Sequence, residues 1–446
     1  MGESVANIYS ASLGIPKVQP RGGRSTVSLQ SELWQKLANA GADILPLTID
    51  SNTRLGKIDK ASELYEMALK TSQETLNGFP LLSIPRNQVR EMLQEVNLPV
   101  SLRHGTPLPL NLVRRALDVG VSEVEGGPIS YTLPYSRDVN LLRCLEDWKL
   151  TEFECRNSSE KSGTKIIRES FGVLTACLVP PSQALISGLL ETTFTLDFDG
   201  GIPMVSFGST GCEYQDSATI SAFRILLPWW LDLIGEPEQE CFVAFHQWMG
   251  PFPLGKSESI EIIRSGTIIA TRNNCHKIVT KTIDEAHGVP TPAINSEAVK
   301  LVKKIISEES GSAKIDQSHD GAVKEECAML VLEVKKQMLE LFKLGRDVFT
   351  LILESIDLGY VDPPFSPHVA TRGNLRTIRA EDGSIRVSRD NPGRHSETFL
   401  AYEANFLKGK GLWKDYSSDE ISKFIAWPCY SSVKNESLNL EGVDLS

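Results

Sequence analysis

The chain has 446 residues, of which 41% are hydrophobic and 23% are charged, and its formal net charge is −11. This length suits one large barrel domain with extra segments, or a few ordinary domains, and the composition is typical of a soluble globular protein. The negative charge disfavours a non-specific nucleic-acid binder, whose surface is basic. The longest apolar run, Ile225–Leu231, is far too short to span a bilayer, and the N-terminus has no signal-peptide pattern.

The eight cysteines are scattered along the chain and include no C-x-x-C pair. This spacing argues against a zinc ribbon, and a disulfide framework is not expected in a chain of this size. We therefore expect the protein to reside in a reducing cytoplasm, with neither a nucleic acid nor a membrane as its partner.

Short apolar runs alternate with amphipathic stretches as far as about residue 290. Nine runs are candidate strands: Ile15–Gln19, Asp43–Ile49, Leu81–Ile84, Val100–Arg103, Ser122–Glu125, Val173–Leu178, Met204–Phe207, Phe242–His246 and Lys277–Lys281. Helical patterns between them include Ala61–Thr71, Gln88–Val96, Asn111–Val119, Gln183–Glu191, Ser217–Ile234 and Glu258–Arg272. This alternation indicates βαβ units and a parallel sheet. A (β/α)8 barrel needs one strand fewer, and Leu81–Ile84 has the weakest pattern.

Both a doubly wound sheet and a barrel fit this alternation, and the positions of the polar residues distinguish them. Six candidate strands end in a polar or glycine-rich stretch, at residues 19–21, 49–54, 103–106, 125–127, 246–250 and 281–282. Catalytic groups at the C-terminal ends of many strands are typical of the barrel. A Rossmann fold would carry G-x-G-x-x-G, which the sequence lacks. We therefore predict an α/β protein with a (β/α)8 TIM barrel.

The character of the chain changes after Pro290. Residues 308–317 are polar and predict a loop, and helical spacing returns over Ala322–Leu344 and Asp347–Ile356. From Pro363 to His395 the sequence predicts irregular structure. We assign residues 1–300 to a substrate-binding barrel, and residues 301–446 to a C-terminal helical and irregular extension packed on it.

Three arginines follow three candidate strands: Arg21, Arg54 and Arg103. A guanidinium binds a carboxylate through two parallel hydrogen bonds and stays charged inside a pocket. Several arginines converging at a barrel mouth would suit a dianionic substrate, and we add the adjacent His104 to the substrate-binding candidates. Each arginine taken alone is more simply explained as a loop residue paired with a nearby acid.

The segment from Glu125 to Tyr135 combines a carboxylate, two glycines and two tyrosines of interest. Glycines after a strand end leave room for a ligand to approach the backbone closely. Glu125 is then placed to accept from an ammonium group or to remove a proton, and Tyr131 and Tyr135 to donate to the same ligand. A tight turn with two packing tyrosines explains the segment equally well.

Lys281 and Glu285 are four residues apart, a spacing that lets both grip a hydroxylated group such as a ribose. A surface ion pair accounts for the spacing equally well. His246 lies in a Phe-His-Gln-Trp run, whose planar side chains suit either a flat ligand or a capped core strand. Neither His246 nor His104 has partner spacing for a metal, so we predict no direct metal ligation.

At these residues the sequence resembles the large (epsilon) subunit of glutamate mutase, also called methylaspartate mutase. The resemblance extends from about Ile15 to Gly411 and rests on residues 19–21, 45–54, 76–80, 103–107, 125–135, 171–182, 245–253 and 277–291. It implies that the family's arginine trio, which holds the two carboxylates of glutamate, falls on Arg21, Arg54 and Arg103. It also implies that Glu125 contacts the substrate ammonium, and that Tyr131 and Tyr135 are the substrate-contacting tyrosines.

The resemblance further implies adenosylcobalamin as the cofactor, with its ribose met by Lys281 and Glu285. We add His246 to the cofactor-binding candidates. A radical mechanism would interconvert L-glutamate and 3-methylaspartate, with the difficult chemistry supplied by the cofactor. The cobalamin-holding signature D-x-H-x-x-G does not occur in this sequence. The resemblance assigns that histidine to a separate small cobalamin-binding subunit, which would join a homodimer of this chain in a heterotetramer.

The loops beside these residues depart from the family pattern. The family's W-M-G-G-F reads W-M-G-P-F at residues 248–252, and its K-T-P-H-E-A reads K-T-I-D-E-A at residues 281–286. Such changes predict a divergent branch. Two alternatives therefore stay open: a mutase acting on another amino diacid in secondary metabolism, and a barrel that binds an amino diacid without radical chemistry.

Overall fold

A computed structural model describes residues 5–12, 14–171, 178–310, 320–391, 393–409 and 411–431. Eight parallel strands form one sheet: β1 (Lys17–Gln19), β2 (Leu45–Thr48), β3 (Val100–Arg103), β4 (Glu123–Glu125), β5 (Ile167–Phe171), β6 (Ile202–Gly208), β7 (Phe242–His246) and β8 (Lys277–Val279). The strand order is β1-β8-β7-β6-β5-β4-β3-β2. Between β1 and β2, the carbonyl oxygen of Val18 accepts from the backbone N–H of Asp43 at 2.9 Å. The prediction of a (β/α)8 barrel is confirmed.

Helices connect the strands and continue after the barrel. They are α1 (Val5–Ser10), α2 (Val27–Asn39), α3 (Ser51–Arg54), α4 (Ile58–Thr71), α5 (Arg86–Gln94), α6 (Leu110–Val119), α7 (Leu141–Ser162), α8 (Pro181–Asp197), α9 (Glu213–Ile234), α10 (Lys256–Arg272), α11 (Pro292–Ser310), α12 (Asp320–Phe342), α13 (Val348–Asp357), α14 (Glu397–Phe406), α15 (Ser418–Ile425) and α16 (Trp427–Ser431). Within the described residues, no helix has the length and apolar character that crossing a membrane requires.

Two strand predictions need correction. Leu81–Ile84 forms turns, because the prolines that flank it, Pro80 and Pro85, have no N–H to donate to a sheet. The run Val173–Leu178 lies outside the described residues except for Leu178, and the fifth strand is found upstream at Ile167–Phe171. The apolar pattern of this strand is interrupted in the sequence, because Arg168 and Glu169 are charged although they are buried.

The N-terminal end of the barrel is closed by α1. Tyr9 of this helix is fully buried, and its ring centroid lies 5.3 Å from that of Phe242 on β7. Val5, Ile167 and Ile202 belong to the same apolar cluster. The base of the barrel is therefore largely apolar, and the hydroxyl group of Tyr9 donates from it to Glu123 at the start of β4, at 2.7 Å.

The C-terminal extension packs against the barrel helices, with α12 on α8 and α9. The region predicted to be irregular contains an antiparallel hairpin of β9 (Thr377–Arg379) and β10 (Ile385–Val387). Its loop contains an Asp-Gly pair, Asp382 and Gly383, which is a sequence signal for a hairpin. Gln215 of α9 holds the hairpin by exchanging two hydrogen bonds with the backbone of Ile385, at 2.9 and 3.1 Å. The helix α11 runs through residue 300, and the division of domains there stays a prediction.

Candidate active site

The predicted site residues gather at the C-terminal edge of the barrel. Arg103, Glu125 and His246 are the last residues of β3, β4 and β7. The others lie in the connections after β1, β2, β3, β4 and β8: Arg21, Arg54, His104, Tyr131, Tyr135, Lys281 and Glu285. Because all strands are parallel, these segments share one face, and it is the face on which barrel enzymes carry their active sites.

Arg103 and Glu125 form a buried ion pair at the centre of this face. Nη2 of Arg103 donates to Oε1 of Glu125 at 2.7 Å, and their side chains are 5% and 1% exposed. The second atoms of the two groups, Nη1 of Arg103 and Oε2 of Glu125, have no hydrogen-bond partner within the described ranges. Buried polar atoms are rarely left in that state, so these two mark a place for a ligand or water.

Burial raises the pKa of Glu125 to about 7. The positive charge of Arg103 opposes this shift, and the negative charge of Glu169 on β5 adds to it. Glu125 therefore exchanges a proton near neutral pH, which is the range in which a carboxylate works as an acid or base.

The two remaining arginines, Arg21 and Arg54, both act through their charge on the hydroxyl group of Tyr135. Burial and the charge of Glu125 raise the pKa of Tyr135, and Arg21, Arg103 and Arg54 all oppose that shift. Among the residues the structure describes, no acidic side chain forms an ion pair with Arg21 or Arg54. The simpler reading of these two arginines, as loop residues paired with a nearby acid, therefore fails.

Two glycines shape the loop that carries the tyrosines. Gly126 has a φ of +106°, and a Cβ there would lie 2.2 Å from the ring of Tyr131. A Cβ on Gly127 would lie 2.3 Å from the carboxyl group of Glu191, which accepts from the backbone N–H groups of Ile129 and Ser130 at 2.8 and 2.7 Å. The absence of side chains at the two glycines therefore lets Tyr131 pack against Gly126 and lets Glu191 accept hydrogen bonds from the loop backbone.

His104 is a neutral hydrogen-bond donor beside this loop. Its Nδ1 accepts from the backbone N–H of Thr106 at 3.1 Å, which leaves the proton on Nε2. Burial lowers the pKa of His104 to about 3, and the nearby charge of Arg168 contributes to the shift. Nε2 has no hydrogen-bond partner in the described part of the chain. The backbone carbonyl of Glu125 opposes the shift, so the N–H of His104 lies beside the end of β4.

Lys281 and Glu285 form an ion pair at the edge of the site. The side chain of Lys281 is 7% exposed, and its Nζ lies 5.6 Å from the ring centre of Phe252. Burial and the charge of Arg21 lower the pKa of Lys281 to about 8, and Glu285 opposes this shift. The pair is thus not an ordinary surface ion pair, which was the alternative reading of its spacing.

His246 is fully buried and faces Glu169, with 2.9 Å between Nε2 and Oε1. Of the two alternatives for the neighbouring Gln247 and Trp248, the structure favours the core strand over a flat ligand face. Gln247 donates to the carbonyl oxygen of Ile263 at 3.0 Å, inside the contact between β7 and α10. Trp248 is 1% exposed. For these two residues the capped core strand is the correct reading.

Three buried charges beneath the site were not predicted from the sequence. Glu123 of β4, Glu169 of β5 and Lys277 of β8 are fully buried, and Lys277 contacts both glutamates. One signal was available: Glu123 and Glu125 are two residues apart on a strand and so share a face. Gln19 was not among the predicted site residues either, and its buried carboxamide atoms have no partner among the described residues.

One oxygen or nitrogen from each of Glu125, Glu169 and His246 lies within 4.8 Å of the others. Such a trio has the composition of a metal site. However, Arg103 and Lys277 already pair with the two carboxylates, and their charges oppose a divalent cation. The absence of metal ligation stays a prediction.

Residues 6–392 of the chain match the methylaspartate mutase E chain family. The glutamate mutase epsilon subunit of Haloarcula marismortui is 32% identical over 375 residues, which cover 83% of this chain and 75% of that protein. The subunits of Escherichia coli O157:H7 and Yersinia enterocolitica are 31% and 30% identical, over 83% and 84% of this chain and 76% and 77% of theirs.

Fold and site together define a (β/α)8 barrel with a charged polar site at the C-terminal ends of its strands. The match over most of its length identifies the class more closely, as an isomerase of the glutamate–methylaspartate mutase type. The chain belongs to the methylaspartate mutase E chain family.

Proposed function

We propose that this chain binds L-glutamate at the barrel mouth and interconverts it with 3-methylaspartate, with adenosylcobalamin brought by a small partner subunit. The observation that carries the proposal is the Arg103–Glu125 pair, whose outer atoms, Nη1 and Oε2, are buried without partners in the described chain. A donor edge next to an acceptor edge suits a ligand that has a carboxylate beside an ammonium group.

The chain's own residues are suited to bind both ends of an amino diacid. In this proposal Arg21 and Arg54, which have no acidic partner in the described chain, hold the ligand carboxylates with the free edge of Arg103. Oε2 of Glu125 accepts from the ammonium group. The hydroxyl groups and N–H that complete the site belong to Tyr131, Tyr135 and His104. Tyr131 and His104 are buried, and in this proposal they keep bulk water from the inner part of the site.

The residues at the mouth also fit the expected cofactor. Adenosylcobalamin is the group that supplies radical chemistry in this proposal. Lys281 and Glu285 provide a donor and an acceptor side by side at the edge of the site, beside Phe252, which is the arrangement that the adjacent hydroxyl groups of a ribose require. His246, by contrast, is fully buried against Glu169, and we propose a place for it near the substrate rather than the cofactor.

A partner subunit is supported by the loops around the mouth. The sequence lacks D-x-H-x-x-G, so the chain has no histidine of its own in that motif for cobalt. Leu55, Leu254 and Val289, in the connections after β2, β7 and β8, are 65%, 79% and 65% exposed. All three lie in connections that follow the C-terminal ends of strands, on the same face of the barrel as the candidate site. We propose that a cobalamin-carrying subunit covers them, within a cytoplasmic complex containing two copies of each chain.

The test combines this chain with a small cobalamin-binding subunit and adenosylcobalamin, and follows 3-methylaspartate formed from L-glutamate. The isolated chain should bind the cofactor weakly and the mixture should bind it tightly, as followed by cobalamin absorbance. Conversion of a different amino diacid, but not of glutamate, would move the assignment to a mutase of other specificity. Glutamate binding without cofactor binding under any condition would favour the non-radical alternative.

A further inference from the structure

A layer of buried charge lies in the barrel interior beneath the candidate site. Lys277 donates to Oε2 of Glu169 at 2.5 Å and contacts Oε1 of Glu123. Glu123 also accepts from the hydroxyl groups of Tyr9 at 2.7 Å and Ser101 at 3.0 Å. Barrel interiors are usually filled with branched apolar side chains. Buried ion pairs seldom stabilise a fold more than such side chains do, so stability alone explains this layer poorly.

The layer is joined to the site through Glu169. One carboxylate oxygen of Glu169 pairs with Lys277, and the other faces Nε2 of His246 at 2.9 Å. Burial alone would raise the pKa of Glu169, but Lys277 and His246 outweigh it and hold that pKa well below its usual range. Glu169 is therefore an acceptor, and His246 must carry its proton on Nε2. A Glu125 oxygen lies within 4.8 Å of both groups.

The charges in the layer and the central pair do not cancel. The three carboxylates of Glu123, Glu125 and Glu169 face two cations, Arg103 and Lys277. His246 contributes no charge, because burial lowers its pKa to about 3. When Glu125 is ionised, the group carries one surplus negative charge, which one ammonium group would neutralise.

The rim of the site has the complementary surplus. Arg21 and Arg54 have no acidic partner in the described ranges, whereas Lys281 is paired with Glu285. Two unpaired cations above one surplus anion match a ligand with two carboxylates and one ammonium group. The layer thus makes the charge of the whole site complementary to an amino diacid.

We propose that Lys277, with Glu123 and Glu169, is a positioning residue for the ligand's ammonium group, because its charge determines whether Glu125 can ionise to receive that group. The inference rests on the proposed function and deepens it. Without Lys277, two uncompensated carboxylates would lie beneath Glu125 and favour its protonated form. With Lys277 in place, an arriving ammonium group is enough to displace the proton.

The groups that act on Glu125 come from every element around it. They are Arg103 from β3, Glu123 from its own strand, Glu169 from β5, His246 from β7, Lys277 from β8, and Tyr131 and Tyr135 from the following loop. Of these, Lys277 and Glu123 can be changed without altering a side chain that touches Glu125 directly. They are therefore the positions at which to test the proposal.

The experiment measures proton release when L-glutamate binds the full chain, by calorimetry in buffers of different ionisation enthalpy, from about pH 5.5 to about pH 9. Lys277→Met should move the midpoint of release upward by about one pH unit or more. Adding Glu123→Gln to that variant restores the net charge of the buried layer, and it should return the midpoint toward the wild-type value. Glu123→Gln alone should move it downward, and this variant tests the proposal even where Lys277→Met fails to fold.

Arg386→Met is the matched control, because Arg386 is also fully buried between two glutamates, Glu326 and Glu403, but in the extension. It should lower stability without moving the midpoint. A midpoint that stays fixed in folded Lys277→Met and in Glu123→Gln would overturn the proposal, and would make the layer merely structural.

A ligand-free readout separates this proposal from the proposed function. The infrared absorption of the protonated Glu125 carboxyl, identified by its loss in Glu125→Gln, can be followed against pH in the same variants. If wild-type protein binds no L-glutamate, the proposed function fails, yet the infrared titration still decides whether Lys277 sets the charge of Glu125. A titration of Glu125 that is the same with and without Lys277 rejects the proposal.

Discussion

Two buried cations, each held between two glutamates, lie in different parts of this molecule. In the barrel, Lys277 contacts Glu123 and Glu169. In the extension, Arg386 on β10 lies 2.7 Å from Glu326 on α12 and 2.9 Å from a carboxylate on α14. Both cations are fully buried, and both clusters join elements that are far apart in sequence.

The extension cluster is closed. Arg386 donates from Nε to Ser384 at 2.8 Å and from Nη2 to the hydroxyl of Tyr214 at 2.6 Å. Its guanidinium carbon lies 3.7 Å from the ring centre of Phe406. Tyr402 donates to Glu326 at 2.7 Å. Such a network, with its donors and acceptors paired, fixes α9, β10, α12 and α14 to one another.

The barrel cluster is open at one end. The chain of contacts runs from Lys277 through Glu169 to His246, whose Nδ1 has no partner among the described residues. Nearby, Nη1 of Arg103 and Oε2 of Glu125 also have no hydrogen-bond partner among the described residues. Buried charge alone therefore does not identify a functional site. The distinguishing feature is a paired network that ends in unpaired atoms beside a strand end.

The largest expected effect concerns the closed cluster. Arg386→Met leaves Glu326 and Glu403 buried without their cation, a change that typically costs about 3–5 kcal/mol. We expect the free energy of unfolding, measured by urea titration, to fall by about that amount. The affinity of the folded variant for L-glutamate should be unchanged. A large loss of affinity in the folded protein would show that the extension cluster also serves the site.

In the barrel cluster we expect the opposite result, so that Glu125→Gln lowers activity and leaves stability nearly unchanged. Turnover of L-glutamate should fall by roughly 10²-fold or more, the range for losing a positioned acid–base group. Thermal stability should barely change, because glutamine fills the same space and still accepts from Arg103. Steady-state assays of the reconstituted enzyme and a thermal melt of the chain measure both. Full activity, or failure to fold, would contradict the assignment of Glu125.

The positions of the site residues were predictable because they follow from strand ends. Arg103, Glu125 and His246 each close a candidate strand whose pattern was recognised. In a parallel barrel such ends must meet on one face. The resemblance then supplied roles that spacing alone left undecided, such as those of Tyr131 and Tyr135.

The charged layer was not predictable in the same way. Glu169 lies in the strand Ile167–Phe171, where charged residues hide the apolar pattern on which strand prediction depends. Lys277 opens β8 and looks like a solvent-exposed strand start. Their burial depends on one another, because each charge is tolerated only beside its partner. That pairing joins positions 108 residues apart, which a local pattern does not reveal.

Arg103→Lys should weaken L-glutamate binding roughly 10- to 100-fold, as expected for losing a hydrogen bond to a charged group worth about 1.5–3 kcal/mol. Lysine keeps the charge but lacks the fork that contacts Glu125 with one nitrogen and a ligand carboxylate with the other. Calorimetric titration of the isolated chain measures the affinity, and a melt checks the fold. Near-normal affinity would show that the free edge of Arg103 does not meet the ligand.

The smallest expected effect is the pH dependence of wild-type binding. Since the pKa of Glu125 is about 7 in the ligand-free site, the carboxylate that receives the ammonium group is lost as pH falls through that value. The association constant for L-glutamate should therefore decrease about tenfold from about pH 8 to about pH 6. His104 titrates far below this window, since its pKa is about 3. Lys281 keeps its charge through most of it, since its pKa is about 8.

The closed cluster supplies the control for this titration. Burial also raises the pKa of Glu403 to about 7, so a carboxylate outside the site titrates in the same window. If ionisation of the barrel cluster alone affects ligand binding, the pH dependence of glutamate affinity will persist in Glu403→Gln and disappear in Glu125→Gln. Calorimetric titrations at several pH values decide between the two carboxylates. An unchanged pH dependence in Glu125→Gln would mean that a group other than Glu125 accepts from the ligand's ammonium group.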